Sequence, residues 1–261
     1  MFNLADTAVI RLNRSKIMTQ HDEQLHALES AYTHFALDEA LRALRAHFSG
    51  RIAFSTSLGL EDQVITDAIF RNHLDVDVFT LDTGRNFKET YDTLAETVRH
   101  YGKTIRVMYP QTEVIQQYVS LKGINAFYES VEHRKECCNI RKIEPLNRAL
   151  AGAEVWITGV RAAQSGFRAN MKFFEWDAQR SLVKFNPLLK WKTKDLWAHV
   201  KEHQVPYNKL HDQYFPSIGC APCTRAVSVG EDERAGRWWW ESHNQECGLH
   251  DGTVSGIRSA A

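Results

Sequence analysis

The chain predicts an α/β fold, a parallel twisted sheet flanked by helices and followed by a mobile C-terminal arm. Three observations carry that expectation. Short apolar runs alternate with segments of helical spacing, the runs end in small polar loops, and 261 residues with 43% hydrophobic content suffice to bury one full core. The same pattern divides the chain into a helical segment over 1–48, an α/β domain over 49–230 and an arm over 231–261.

Residues 20–48 carry Leu25, Leu28, Ala31, Tyr32, Phe35, Leu41, Leu44 and Phe48 at spacings of three and four, which predicts amphipathic helices. Arg51-Ile-Ala-Phe-Ser55 then predicts a strand, running through a small-residue loop, Thr56 to Leu60, into a helix over Glu61 to Arg71. Strand, small-residue loop and helix start read as an anion cradle, where backbone N–H groups and the hydroxyls of Ser55, Thr56 and Ser57 are expected to bind a phosphate. The loop has neither a P-loop lysine nor a GxGxxG pattern, so a structural turn is the alternative.

The pattern repeats with a strand over Asp77 to Leu81, the loop Asp82-Thr-Gly-Arg85, a helix over Phe87 to Tyr101 and a strand over Thr104 to Tyr109. In a parallel sheet, loops at the carboxyl ends of strands share one crevice, so Ser55–Gly59 and Asp82–Arg85 are expected side by side, spanned by a nucleotide. A helix over Glu113 to Lys122 follows. A strand over Val155 to Thr158 brings Gly159-Val-Arg161 to the same edge, where Arg161 is a candidate phosphate ligand or a surface salt-bridge partner. Phe173–Trp176 and Leu182–Phe185 predict a hairpin, and Lys194 to His203 a helix.

Thirty-two basic residues balance thirty-two acidic ones, which argues against a nucleic-acid coat and requires any anion to be held by local clustering. One such cluster, Arg134, Lys135, Arg141, Lys142 and Arg148, surrounds Cys137 and Cys138; in a helix Lys142 would follow Cys138, and Arg141 Cys137, by one turn. No apolar run approaches membrane-spanning length and the N-terminus lacks a signal-peptide pattern, so a cytoplasmic protein is expected. In a reducing compartment the five cysteines are expected as metal-bound or free thiols.

The natural division of five is four plus one. Cys137, Cys138, Cys220 and Cys223 supply the complement for a tetrahedral zinc or an iron–sulfur cluster. Adjacent Cys137 and Cys138 point different ways, which favours separate corners of a cluster, with zinc as the alternative. Cys247 is the remaining thiol. Gly248 gives it backbone freedom, His250 lies within a turn's reach, and Arg234 and Arg237 precede it, the setting of a low-pKa nucleophile on a mobile arm. The alternative is an incidental thiol in a disordered tail.

Seven motifs together resemble the assimilatory adenylyl-sulfate reductases, relatives of the phosphoadenylyl-sulfate reductases. They are Ser57-Leu-Gly-Leu-Glu-Asp62, Leu81-Asp-Thr-Gly-Arg85, Cys137-Cys-Asn-Ile-Arg-Lys142, Trp156-Ile-Thr-Gly-Val-Arg161, Ser217-Ile-Gly-Cys-Ala-Pro-Cys-Thr224, Arg234-Ala-Gly-Arg237 and Glu246-Cys-Gly-Leu-His250. The resemblance implies a fold like that of the N-type ATP pyrophosphatases (adenine nucleotide alpha hydrolase-like), with Gln63 closing the SxGxxDS loop. It implies a 4Fe-4S cluster on Cys137, Cys138, Cys220 and Cys223, and Cys247 as nucleophile. It also implies that Lys142, Arg234, Arg237 and His250 contact the sulfate and phosphate of the substrate, while Ser55, Thr56, Ser57, Gly59, Leu81, Thr83 and Arg161 hold the adenosine and α-phosphate. Where that family carries a lysine just before Glu-Cys-Gly-Leu-His, this chain has Asn244 and Gln245.

The activity expected is reduction of adenylyl sulfate to sulfite and AMP through a Cys247 S-sulfonate, with thioredoxin, or glutaredoxin in its place, as thiol donor. Oligomeric state is left open, a homo-oligomer included. The alternatives are the same chemistry on the 3′-phosphorylated substrate and a nucleotide-adenylating enzyme. The Glu-Cys-Gly-Leu-His segment argues against the last.

Overall fold

The structure, a computed structural model, describes residues 23–166, 168–241 and 249 of the chain. The expected α/β sheet is present. Its strands are β1 (Arg51–Thr56), β2 (Asp77–Leu81), β3 (Arg106–Met108), β4 (Ala153–Ile157), β5 (Phe174–Asp177) and β6 (Leu182–Phe185), in the order β3-β2-β1-β4-β6-β5. All neighbouring pairs are parallel except β5 with β6, the expected hairpin.

The chain runs outward from β1 to β2 and β3, then crosses to β4 on the other side of β1. Connections leave β1 and β4 in opposite directions, which opens a crevice at their carboxyl ends. The two strands are largely apolar and buried, as strands covered on both faces must be.

Alternation of side chains divides the core between the two faces. Ile52, Phe54, Val155, Ile157 and Phe185 face a layer formed by α2 (Leu37–His47), α3 (Leu60–Arg71) and α8 (Thr193–His203); Ala53, Phe79 and Trp156 face α7 (Glu144–Leu150). A helix over 23–32, α1, contributes Tyr32 to the first of these cores. Tyr32, Leu37, Leu41 and Leu44 therefore share one core with the sheet, although the sequence pattern sets them in a separate segment. Residues 20–22, expected as the start of helix, lie outside the described residues.

α4 (Lys88–Tyr101) and α5 (Thr112–Lys122) fall where helical spacing predicts them. Gly102 closes α4 at φ +59°, a left-handed position that glycine occupies without steric cost. Strand β3 is shorter than the Thr104–Tyr109 run, because as an edge strand it pairs on one side, with Phe79–Leu81. Among the described residues no helix is long and apolar enough to cross a membrane.

The basic segment around the paired cysteines departs from a plain helix. α6 (Val131–Cys138) passes into a π-helical turn, Asn139–Ile143, before α7 begins. The wider turn alters the one-turn register expected between the cysteines and the two cations. Arg141 is buried and reaches across to the Thr83 carbonyl at 2.6 Å, while Lys142 faces the crevice.

Candidate active site

The crevice above β1 and β4 is a cleft of about 1260 Å³, counting space open to solvent. Its floor begins at the end of β1. Trp156, buried on β4, donates its indole N–H to Ser55 Oγ at 2.8 Å, so the two central strands are tied at the cleft. Thr56 Oγ1 accepts from the Leu58 N–H at 3.0 Å and holds Leu58 at φ +61°. Ser57 turns back, its N–H and hydroxyl both donating to Asp62 Oδ2 at 2.6 Å.

The N-cap residue of α3 is Gly59, so the start of the helix has no side-chain cap. Its first N–H groups and the positive end of its dipole are thereby available to an anion, beside Ser57 and Gly59 in the cleft wall. Burial pushes the Asp62 carboxyl up to about 6, and neighbouring Glu61 acts in the same direction. The two Ser57 hydrogen bonds and the charge of Arg168 oppose that rise without cancelling it.

Of the sequence-predicted residues, Ser55, Thr56, Ser57, Gly59, Leu81, Thr83, Lys142, Cys220, Arg234 and Arg237 line this one cleft. They come from five separate segments of the chain. Leu249 lines it too and, like Leu81, packs against the buried cluster that includes Phe79, Leu146 and Trp156. Cys247 and His250 lie outside the described residues.

Arg161 does not line this cleft and takes the salt-bridge alternative. Its guanidinium is 3% exposed and held by Glu61 at 2.8 Å and Glu233 at 3.0 Å, against a second cavity behind the loop. Two acidic partners, distant in sequence, claim it; the arginine lining the cleft there is Arg168. Sequence reading also missed Trp156, Trp238 and His211 as cleft residues. A tryptophan in a β-run reads as core, and nothing in its spacing announces a ligand wall.

At the other end of the cleft, Cys138, Cys220 and Cys223 are buried with Phe127 and Trp238, and Cys137 packs against them. Thr83 Oγ1 lies 3.3 Å from Cys220 Sγ. Burial alone would raise the Cys220 thiol, but Lys142, Thr83, Arg237 and Arg141 outweigh it and pull it below the ordinary thiol range. Burial, with Cys220 alongside, pushes Cys223 up to about 12. Around these sulfurs, the buried N–H groups Arg141 Nε, Arg237 Nε and Trp238 Nε1 have no acceptor among the described residues.

Arg237 is seated by a close approach. Its guanidinium lies over the Trp238 ring at 4.6 Å and donates to Ser217 Oγ and the Ile218 carbonyl, each at 3.3 Å. A Cβ at Gly219 would fall 2.3 Å from its Nη2, so glycine is what lets the cation sit there.

The cleft thus has a helix N-terminus in its wall, Lys142 and Arg237 close to Cys220, Arg234 in its lining and a mixed apolar and hydroxyl floor. Such a lining suits an anionic ligand. The profile described as "phosphoadenosine phosphosulfate reductase domain" matches residues 51–226. The chain is 54% identical over 200 residues to the adenosine 5′-phosphosulfate reductase of Allochromatium vinosum, covering 76% of this chain and 78% of that protein. It is 53% identical over 206 residues to that of Agrobacterium fabrum, covering 78% and 79%. Among solved structures, the phosphoadenylyl-sulfate reductase of Candida auris, a phosphate complex, aligns with a TM-score of 0.68 and 26% identity, covering 78% of this chain and 97% of that one.

Proposed function

The chain belongs to the phosphoadenosine phosphosulfate reductase domain family, and from that membership and the chemistry of the cleft we propose that it reduces adenylyl sulfate to sulfite and AMP in sulfate assimilation. The observation that carries the reading is Leu249. Two positions after Cys247 in the chain, it lines the cleft that also holds Lys142, Arg234 and Arg237.

The Cys247 thiolate attacks the sulfur of the substrate. The S–O bond to the phosphate breaks, its electron pair leaves with AMP, and Cys247 carries an S-sulfonate. Two anions meet in that step, so the site must concentrate positive charge that interacts most strongly as charge grows on the departing phosphate oxygen. Lys142, Arg234 and Arg237 do this. The uncapped start of α3 with Ser57 and Gly59 holds the α-phosphate, and Ser55, Leu81 and Thr83 hold the adenosine. Thioredoxin then supplies two electrons: one thiolate attacks Cys247 Sγ and expels sulfite, and its second thiol resolves the mixed disulfide and frees Cys247.

Cys137, Cys138, Cys220 and Cys223 would hold a 4Fe-4S cluster, and the donor set fits one. A zinc bound by thiolates needs sulfurs about 3.8 Å apart, from metal–sulfur bonds of about 2.3 Å. Among the described residues, the three-donor group with atoms within 4.8 Å of one another lies elsewhere and contains no cysteine. Buried N–H groups of Arg141, Arg237 and Trp238 without acceptors suit the inorganic sulfides of a cluster. When bound, such a cluster supplies a fixed charge distribution beside the cations of the cleft.

Preference for adenylyl sulfate over its 3′-phosphorylated form is supported by relatives above 50% identity that carry the first name, and by Glu61 and Asp62 in the cleft wall. The test is an assay of anaerobically purified protein with both substrates and thioredoxin as reductant. Higher kcat/KM with adenylyl sulfate is expected; a higher value with the 3′-phosphorylated substrate overturns the assignment.

A further inference from the structure

Away from the cleft, α3 and α8 bring Asp67, His199 and His203 together. One donor atom from each lies within 4.8 Å of the other two. His199 and His203 are four residues apart on α8, so one face of that helix presents both rings, with centroids 4.4 Å apart. His199 Nε2 is 2.8 Å from Asp67 Oδ2, on the neighbouring helix. We propose that Asp67, His199 and His203 form a binding site for a divalent transition metal of the zinc class, separate from the cysteine cluster and from the cleft.

Donor chemistry, geometry and support agree. Two imidazoles and a carboxylate are the mixed nitrogen and oxygen set that zinc, cobalt and nickel accept. Metal–ligand bonds of about 2.0 to 2.1 Å put tetrahedral donors about 3.3 Å apart, so the separations in this triad need to close by about 1.5 Å at most. Tyr101 donates its hydroxyl to the other oxygen, Asp67 Oδ1, at 3.0 Å. That contact orients the carboxylate and leaves Oδ2 toward the imidazoles, as outer partners of metal ligands do. Arg71 is the competing cation, its Nε 3.3 Å from Oδ2, but it has a second anchor in Asp38 at 3.0 Å and can keep that one. Among the described residues His203 adds no hydrogen bond to the Asp67 network; a shared cation gives its place beside His199 a chemical role.

The metal would pin α8 to α3, the helix whose first turn borders the cleft. It performs no chemistry on the substrate, so its signature is binding and stability. The test is calorimetric titration of the cluster-loaded protein with Zn²⁺, together with thermal unfolding with and without Zn²⁺. Wild type should take up one zinc that raises Tm, while His203→Ala, which keeps every cysteine and the Asp67–His199 contact, should bind that zinc at least tenfold more weakly and lose the rise. His199→Asn should behave the same way. Equal zinc affinity in wild type and His203→Ala, or zinc uptake that leaves Tm unchanged, overturns the site.

Discussion

Arg134 and Glu241 form a buried, two-point ion pair, Nε to Oε1 at 2.6 Å and Nη2 to Oε2 at 2.9 Å, with side chains 0% and 5% exposed. Arg134 also lies over the Trp238 ring at 5.0 Å. The pair fastens the segment that leads toward Cys247 to α6, the helix that carries Cys137 and Cys138. Removing Glu241 takes the carboxylate away from a fully buried guanidinium, and Glu241→Ala should cost about 3 to 5 kcal/mol. Replacing both by apolar residues of similar volume should cost far less. Denaturant unfolding of the single and double variants checks the difference; equal losses would mean that packing, not the stranded charge, sets the cost.

Lys142, Arg234 and Arg237 should serve turnover more than folding, because they line the cleft of a chain whose formal charge is zero. Removing any one of these cations should cost about 1.5 to 3 kcal/mol of transition-state binding, the worth of a charge-assisted hydrogen bond, or roughly ten- to a hundredfold in kcat/KM. Steady-state kinetics on alanine variants with unchanged Tm is the measurement, and full activity in any one would remove that residue from the site.

Gly219→Ala should mimic removal of Arg237. The added Cβ meets Nη2 at 2.3 Å and must move the guanidinium off Ser217 and Ile218. Because the two changes act through the same guanidinium, Gly219→Ala combined with Arg237→Ala should be no worse than Arg237→Ala alone. Additive decreases in kcat/KM would show that Gly219 matters for another reason.

Asp62 predicts a pH-dependent stability difference. Its folded pKa, raised to about 6 by burial, lies above the ordinary 3.8. A raised acid favours the folded state below its unfolded pKa, and that contribution is lost as pH rises through the folded value. Asp62→Asn keeps an acceptor for Ser57 without the charge, so it should match wild type near pH 4 and exceed it by about 2 to 3 kcal/mol above pH 7. Unfolding curves across that range decide; a difference that does not vary with pH would show that Asp62 ionises normally.

Incubation with adenylyl sulfate and no reductant should place one SO₃ on the Cys247 peptide and release one AMP per chain. Cys247→Ser should do neither. Peptide mass mapping reads the outcome, and an adduct on another cysteine in that variant would reassign the nucleophile.

Local pattern made much of this legible in advance. Alternation of apolar runs with helical spacing pointed to the sheet and the loops that meet at its edge, because burial on two faces forces a recognisable composition on strands. The four clustered cysteines, the Ser55–Gly59 loop and the cations Lys142, Arg234 and Arg237 could be named because each sits in a short motif whose chemistry is local.

What tertiary structure alone decided is which charges remain available to a ligand. Arg161 shares a strand-end loop with cleft residues, yet Glu61 and Glu233, 100 and 72 residues away, hold its guanidinium behind the loop. Arg141 is turned toward Thr83 by a π-helical turn, while Lys142 beside it faces the cleft. Asp62 is held in the Ser57 turn beside a helix start that Gly59 leaves uncapped, and His203 gains a neighbour in Asp67 from another helix. A side chain's type and local spacing are written in the chain, but its partner is the nearest opposite charge after folding, and that distance is a property of how the layers pack.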